Sequence, residues 1–574
     1  MYRELGKHPL RQNTREMLAR PRLSLLRQST ALTVLAVSLL AAPYAHAQEP
    51  SVVAANDSTP ATGSGSRTAT ASGLSAGDPG ASSFTDSLIP GFTWEGTVNL
   101  GETYSTNAVG LSTGGQSDWT TQAGLGLGLH EHSRRTSVDV QYSGQAYYYP
   151  RSAQSMQFTN DLQAVANVIA IPDYLNFVGS AFAQPVLLSQ AGIVTANGGI
   201  SPNGYRNSYG FSAGPDITFG LGDFARSQTD ATYGAAYFTD PNGAAPVPLI
   251  PGLPGPQNTT MRTLSERLTS GADFSRLSWS LVGVFSETDR PQGLFSEKAG
   301  VGTFQYAITR EIALLATGGY DAISNTTPLT KDISGPVAMG GFALTFGEDF
   351  SLRAQAGQKY NSLSFLGSLL WNIGPSTAIS GSATDSVSTP EGQLLNNLTD
   401  LTASLNGTLA SRSDIYANGS ASSLGSFSVQ PQGSQAFNQT IARYQQINLG
   451  FSQDFEREHF NINAFGTRLT QLNGFFLGPP VTNSWGAGVS YGHDFSRDLK
   501  GTIGGNYGNY EELGGTAGTY NVNGGLTYSL SPDTGVSFRA DYFTRDSSAS
   551  LQTLSPFTGS LDDLRLSIGL THTL

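Results

Sequence analysis

Between residues 483 and 574 the chain passes through five segments in which apolar and polar residues alternate one by one. Successive side chains of an extended strand point to opposite faces, so this pattern calls for strands with one apolar and one polar side. In the last segment Leu564, Leu566, Ile568, Leu570 and Leu574 share a face, and Arg565, Ser567, Gly569, Thr571 and Thr573 take the other. One segment earlier, Val536, Phe538, Ala540 and Tyr542 oppose Ser537, Arg539 and Asp541. The connections alternate as well: tight at 495–499 and 531–534, longer and polar at 511–518 and 547–562. Two-faced strands joined in turn by short and long connections predict an all-β fold, a transmembrane up-and-down antiparallel barrel of the bacterial outer membrane.

The first 47 residues read as a processing signal. Arg3, Lys7, Arg11, Arg15, Arg20, Arg22 and Arg27 lead into an apolar run over 31–42 and then Ala45-His46-Ala47, a small-x-small cleavage site, so the mature chain is expected to begin at Gln48. No later stretch approaches the roughly 18 apolar residues that a membrane helix needs. Residues 48–90 are dominated by Ala, Ser, Thr, Gly, Pro and Asp. Such a segment buries too little apolar surface to offset ordering, and it is expected to be a disordered periplasmic tail before a barrel over 91–574.

Composition agrees with a chain that faces lipid outside and water inside. Charged residues make up 13% and hydrophobic ones 38%, with 68 glycines and no cysteine. A water-soluble domain carries about 25% charge. The signal region holds seven basic and two acidic side chains, so its removal takes the formal charge from −12 to −17. An acidic surface disfavours a nucleic-acid partner.

From Phe92 onward the alternation continues: Ala123, Leu125, Leu127 and Leu129 against Gly124, Gly126 and Gly128, then Val138, Val140, Tyr142, Ala146 and Tyr148 against Asp139, Gln141, Ser143, Gln145 and Tyr147. Short connections at 130–135, 171–173, 222–226, 273–276, 309–311, 347–351, 372–376, 411–414, 454–459, 494–498 and 531–533 are expected to be periplasmic turns. Longer ones at 184–205, 240–260, 324–336, 386–395, 425–439 and 472–483 are expected outer loops, the first two long enough to fold inward. The count is about 24 strands, within a range of 22 to 26. Tyr147, Tyr148, Tyr149, Tyr237, Phe238, Tyr542 and Phe543 gather near strand ends as an interfacial girdle. A secreted solenoid or propeller fits less well, because no fixed repeat period is present and turn lengths alternate.

The segment Asn99-Leu-Gly-Glu-Thr-Tyr-Ser-Thr-Asn107, the strand start Arg206-Asn-Ser-Tyr209 and the closing hairpins resemble outer-membrane proteins associated with the PEP-CTERM and exosortase system. More loosely they resemble the beta-barrel porins of exopolysaccharide clusters. The resemblance covers most of the mature chain. It departs in closing on Leu574, where such barrels place an aromatic.

Side chains with chemical potential are sparse. His130-Glu131-His132 has the look of a metal trio, but as part of a strand turn it reads as a solvated edge. Glu511 and Glu512 are adjacent and point apart in an extended chain. No metal, no cofactor and no catalytic set is expected, and the chain is read as a non-enzyme. Function then rests on the bore. Asp139, Gln141, Gln145, Arg353, Gln355, Asn448, Asn461, Asn463, Arg539, Asp541 and Arg565 are the expected lumen-facing residues. Amides and hydroxyls that exchange hydrogen bonds easily suit a polyhydroxylated chain sliding past. The leading expectation is a conduit or accessory for exopolysaccharide export, and its partners are the polysaccharide and periplasmic export components. Outer-membrane lipid surrounds the barrel, and barrel-assembly machinery inserts it. A structural or surface-anchoring barrel and a general diffusion porin are the alternatives.

Overall fold

The structure, a computed structural model, describes residues 92–108, 115–151, 156–187, 205–239, 258–291, 293–326, 333–389, 441–472, 481–512, 515–548 and 560–574. These form twenty-two strands. The first eight are β1 (Phe92–Ser105), β2 (Asp118–His132), β3 (Thr136–Tyr148), β4 (Met156–Ile171), β5 (Leu175–Leu187), β6 (Tyr205–Leu221), β7 (Ala225–Thr239) and β8 (Thr259–Ser270). Next come β9 (Leu277–Arg290), β10 (Gly293–Ala307), β11 (Ile312–Asn325), β12 (Gly335–Phe346), β13 (Phe350–Lys359), β14 (Ser362–Asn372) and β15 (Thr377–Ser388). The remainder are β16 (Ala442–Asp454), β17 (Glu458–Gln471), β18 (Val481–Asp494), β19 (Leu499–Glu512), β20 (Gly515–Ser531), β21 (Thr534–Ser547) and β22 (Leu561–Thr573).

Each strand pairs antiparallel with its neighbours in sequence, and β22 pairs with β1, which closes the ladder into a barrel. Closure leaves no edge with unpaired backbone groups, the condition for crossing a bilayer with strands. Twenty-two strands lie at the lower bound of the range read from the sequence. The count of 24 needed strands between 389 and 441, where β15 and β16 are in fact direct partners from Ser388↔Ala442 down to Thr377↔Gln453. The expected turn at 411–414 and the expected loops at 386–395 and 425–439 fall wholly or largely outside the described residues, as do most of 184–205 and 240–260, the expected signal and the expected tail.

The alternation in sequence becomes two faces of one wall. Directly paired residues share a face, so the register carries each assignment around the barrel. Leu125 at 59% exposure and, on the same face through Val98 and His572, Leu564, Leu566, Ile568 and Leu570 at 40–49% all look outward. Phe158, Phe177, Phe304, Phe342, Phe365, Leu449 and Ile503 continue this exposed apolar band on other strands. A continuous apolar exterior around a closed barrel is a lipid-facing surface.

Outward aromatics cluster at its two edges, Tyr104 with Trp119 at one and Phe350 with Trp371 at the other. Only alternate members of the aromatic groups read from the sequence belong there. Tyr148, Tyr237 and Tyr542 face out, whereas Tyr147, Tyr149, Phe238 and Phe543 are buried on the inward side. Neighbouring residues of a strand cannot both reach lipid.

Candidate functional site

Three sectors of the inward face differ in chemistry. The register places Asp139, Gln141, Gln145, Arg353, Gln355, Asn448, Asn461, Asn463, Arg539, Asp541 and Arg565 all on that face. It does not bring them together as one site. Six lie on β3, β21 and β22, Arg353 and Gln355 on β13, and Asn448, Asn461 and Asn463 on β16 and β17, and their surroundings differ in how many of their hydrogen bonds are already used.

The first sector spans β21, β22 and β1 to β4, and the charged groups beside its seam are tied to one another, whereas Asn99 Oδ1, Asn167 Oδ1 and Thr571 Oγ1 are buried without a hydrogen bond. Asp563, 1% exposed, accepts hydrogen bonds at Oδ1 from Ser105 Oγ at 2.7 Å and the Asn107 backbone N–H at 3.0 Å, both from β1 or just beyond it, and its Oδ2 pairs with Arg565. Asp563 therefore latches the seam at which the barrel closes. Asp541 lies opposite Arg565 and pairs with Arg539 at 3.2 Å. Gln145 accepts from Gln122 at 2.8 Å and from the Tyr147 hydroxyl at 2.6 Å. Beyond the end of β3, burial pushes the Tyr149 hydroxyl up to about 12, with the positive charge of Arg565 acting the other way. Buried charges this closely paired specify structure more than they bind ligand.

The second sector, β9 to β12, has an apolar band inside as well as out, flanked on the inward face by buried polar residues that include Glu297, Asp321, Thr303 and Thr317. Val282, Val284, Ala299, Val301, Val337 and Met339 form a buried cluster on the inward face. Next to it, the ladder between β14 and β15 ends at Gly367↔Ala383, and β13 and β14 turn back early through Tyr360 and Asn361, both at positive φ. Above that point β15 and β16 leave the wall. Asp385, Val387 and Arg443 belong by alternation to the outward face, yet they are buried.

Their partners lie on inward faces. Arg443 pairs with Asp385 and bonds Ser362, Lys359 Nζ donates to the Asp385 carbonyl at 2.9 Å, and Val387 and Ile441 join a cluster with Phe295 and Ile323. The upper ends of β15 and β16 thus lean inward behind the tip of the β13–β14 hairpin and narrow the bore. Removing one member of this ion set would strand a buried charge, which fixes the lean in place.

The third sector, β16 to β20, is neutral and open. Four inward residues directly opposite in the ladder read Asn463, Gly488, Asn506 and Asn521. One row toward the periplasm come Asn461, Ser490, Gly504 and Asn523; one row outward come Phe465, Gly486, Gly508 and Thr519. Asn463, Asn506 and Thr502 are exposed although they face inward, so the lumen is open against this wall. Among the described side chains, the inward acidic and basic groups here sit at the periplasmic edge: His459 paired with Asp454 at 3.0 Å, and Lys500 with Asp494 at 3.8 Å.

At the same edge on β2, His130 Nδ1 meets Asp139 at 2.8 Å and His132 lies 3.7 Å from that carboxylate. Among the described residues no group of three or more His, Asp or Glu is arranged to hold a metal ion.

Phe465, Asn506, Asn521, Asn523 and Tyr510 were not singled out in the sequence, although Phe465 is the next residue of the same parity after Asn461 and Asn463. Aromatics near strand ends read as girdle residues, and it is the register that puts this one in the bore. The Asp385–Arg443 pair had no local signal, since 58 residues separate its members.

These features define a class: a closed antiparallel barrel of the outer-membrane type with a lipid-facing exterior and a divided, largely polar bore. No protein-family model matches the chain, and no curated protein matches it. Among solved structures, the FrpB iron transporter of Neisseria meningitidis in its apoprotein form is similar at 11% identity and a TM-score of 0.44, over 84% of this chain and 81% of that one. The siderophore receptor PirA of Pseudomonas aeruginosa gives 11% and 0.41 over 84% and 80%, and OccAB2 of Acinetobacter baumannii 9% and 0.33 over 85% and 99%. The barrel assignment rests on this chain's own strand ladder and on its two faces.

Proposed function

We propose that the protein is an outer-membrane conduit, or a fixed accessory of one, through which an exopolysaccharide leaves the cell, in keeping with the exosortase-associated and exopolysaccharide-cluster barrels that its sequence resembles. The observation that carries this reading is the open wall of β16 to β20, where amides, hydroxyls and glycines line the lumen without a charge at mid-height. Transport needs contacts that form and break readily, and neutral hydrogen bonds to wet groups are weak enough for a hydroxyl-rich chain to exchange them one after another. The inward lean of β15 and β16 would hold the polymer against that wall. Periplasmic export components would meet the short charged turns at the other end.

A strain lacking the gene tests the reading. Polymer should accumulate in the periplasm and return to the medium when the gene is restored. Normal secretion by the deletion strain rejects export. In that case, reduced uptake of small solutes would favour a diffusion porin, and loss of surface proteins an anchoring barrel.

A further inference from the structure

We infer that the inward wall of β17 to β20 is a binding subsite for an uncharged glycan segment, with Phe465 and Tyr510 as stacking platforms and Asn463, Asn506 and Asn521 as hydroxyl partners. The inference rests on the conduit reading above and adds a ligand class and a location.

The two rings lie along the wall because glycines make room for them. A Cβ at Gly486 would come within 2.6 Å of Phe465 Cε1, and one at Gly508 within 2.5 Å of the Tyr510 hydroxyl oxygen. Ring centroids are 6.4 Å apart at 32° between planes, so the pair forms a tilted apolar platform facing the bore. A pyranose has an apolar C–H face and a rim of hydroxyls, and such a platform buries the first while leaving the second at its edge.

The asparagine row lies one step toward the periplasm, where those hydroxyls would fall. Each amide offers two donors and an acceptor, and a sugar hydroxyl both donates and accepts. Asn463 and Asn506 reach toward each other over Gly488, where a Cβ would stand 2.6 Å and 2.3 Å from their Oδ1 atoms. Asn521 Oδ1 is buried and accepts no hydrogen bond from the protein. Asn463 and Asn506 are exposed to the lumen and unused, unlike the amides of Gln122 and Gln145 in the first sector, which are bound to each other. The wall offers no cation at mid-height for a uronate or sulfate, and residues 48–574 carry a net −17. An uncharged glycan is the ligand that matches.

Titration calorimetry of the full-length protein in detergent, with maltohexaose and cellohexaose as neutral probes and hexagalacturonate as the charged one, tests this. At least one neutral probe should saturate, and hexagalacturonate should bind about tenfold more weakly or not at all, by the lack of a charge partner. Phe465→Ala and Tyr510→Ala should each weaken neutral binding by about tenfold, the upper range for an aromatic contact, while Phe465→Trp keeps it. Asn506→Asp, at an exposed position that should not perturb folding, should also weaken it.

Equal binding by wild type and F465A/Y510A, tighter binding of the uronate, or no saturation by either neutral probe overturns the subsite. Secretion separates the two levels. Aromatic-dependent binding with normal secretion in the deletion strain keeps the subsite and removes the conduit; trapped polymer with aromatic-independent binding does the reverse.

Discussion

Strands β19 and β20 stand next to β21 and β22, and all four obey the same alternation, yet their inward faces do opposite things with polar groups. On β21 and β22, Arg539, Asp541, Asp563 and Arg565 are partly or fully buried and engage one another or the opening strand. On β19 and β20, Asn506 stands over Gly488 and Asn523 over Gly504, both half-open or open to the lumen and without a hydrogen bond to the protein among the described residues. A charge removed from water is retained only with partners, so the first group must be satisfied for the barrel to close. A neutral amide facing an open lumen costs little while idle and stays available to a ligand. Within one ladder, paired buried charges mark the frame, and idle amides exposed to the lumen mark the working surface.

The comparison breaks most visibly at the seam. Asp563→Ala leaves Arg565 buried without its carboxylate and frees the Ser105 and Asn107 donors, so unfolding in urea should show a loss of about 3–5 kcal/mol. Asn523→Ala, one strand away from the tied sector, should stay within about 0.5 kcal/mol. Similar losses at both positions would erase the distinction between frame and working surface.

A smaller effect separates the two sides of a single strand. Arg placed at Leu566 or Ile568 meets lipid and should cost about 2–4 kcal/mol near the midplane, whereas Arg at Ser567 or Gly569 looks into water and should cost less. Equal damage on both sides would mean that the register of β22 relative to β1 and β21 is wrong.

Much of the fold was legible because a period of two is a local property. Leu564 to Leu574 state their faces without reference to any other strand, and ten of the eleven expected short connections are turns between strands. The sectors were less legible. Leu281, Val282, Gly283, Val284 and Phe285 are apolar or small on both sides of β9, so hydropathy alone cannot tell inside from outside there, and the register has to.

The inward lean of β15 and β16 was invisible for a different reason. Asp385 and Arg443 follow the alternation faithfully, and their outward face is buried because the tip of the short β13–β14 hairpin covers it. Of the open wall, Asn448, Asn461 and Asn463 could be read as lumen residues. Asn506 and Tyr510 could not be joined to them until β17, β18 and β19 were set in register.

The absence of cysteine allows the most direct test, because every introduced thiol is the sole one. Single cysteines at Thr502, Ile503, Gly504, Gly505, Asn506 and Tyr507 would walk up β19 from its periplasmic half. In outer-membrane vesicles, a water-soluble, membrane-impermeant maleimide should label positions 502, 504 and 506, while 503, 505 and 507 should react only with a lipid-soluble maleimide. Alternation of that phase is the result required of an aqueous amide wall backed by lipid. Uniform labelling along the strand, or alternation in the opposite phase, would contradict it.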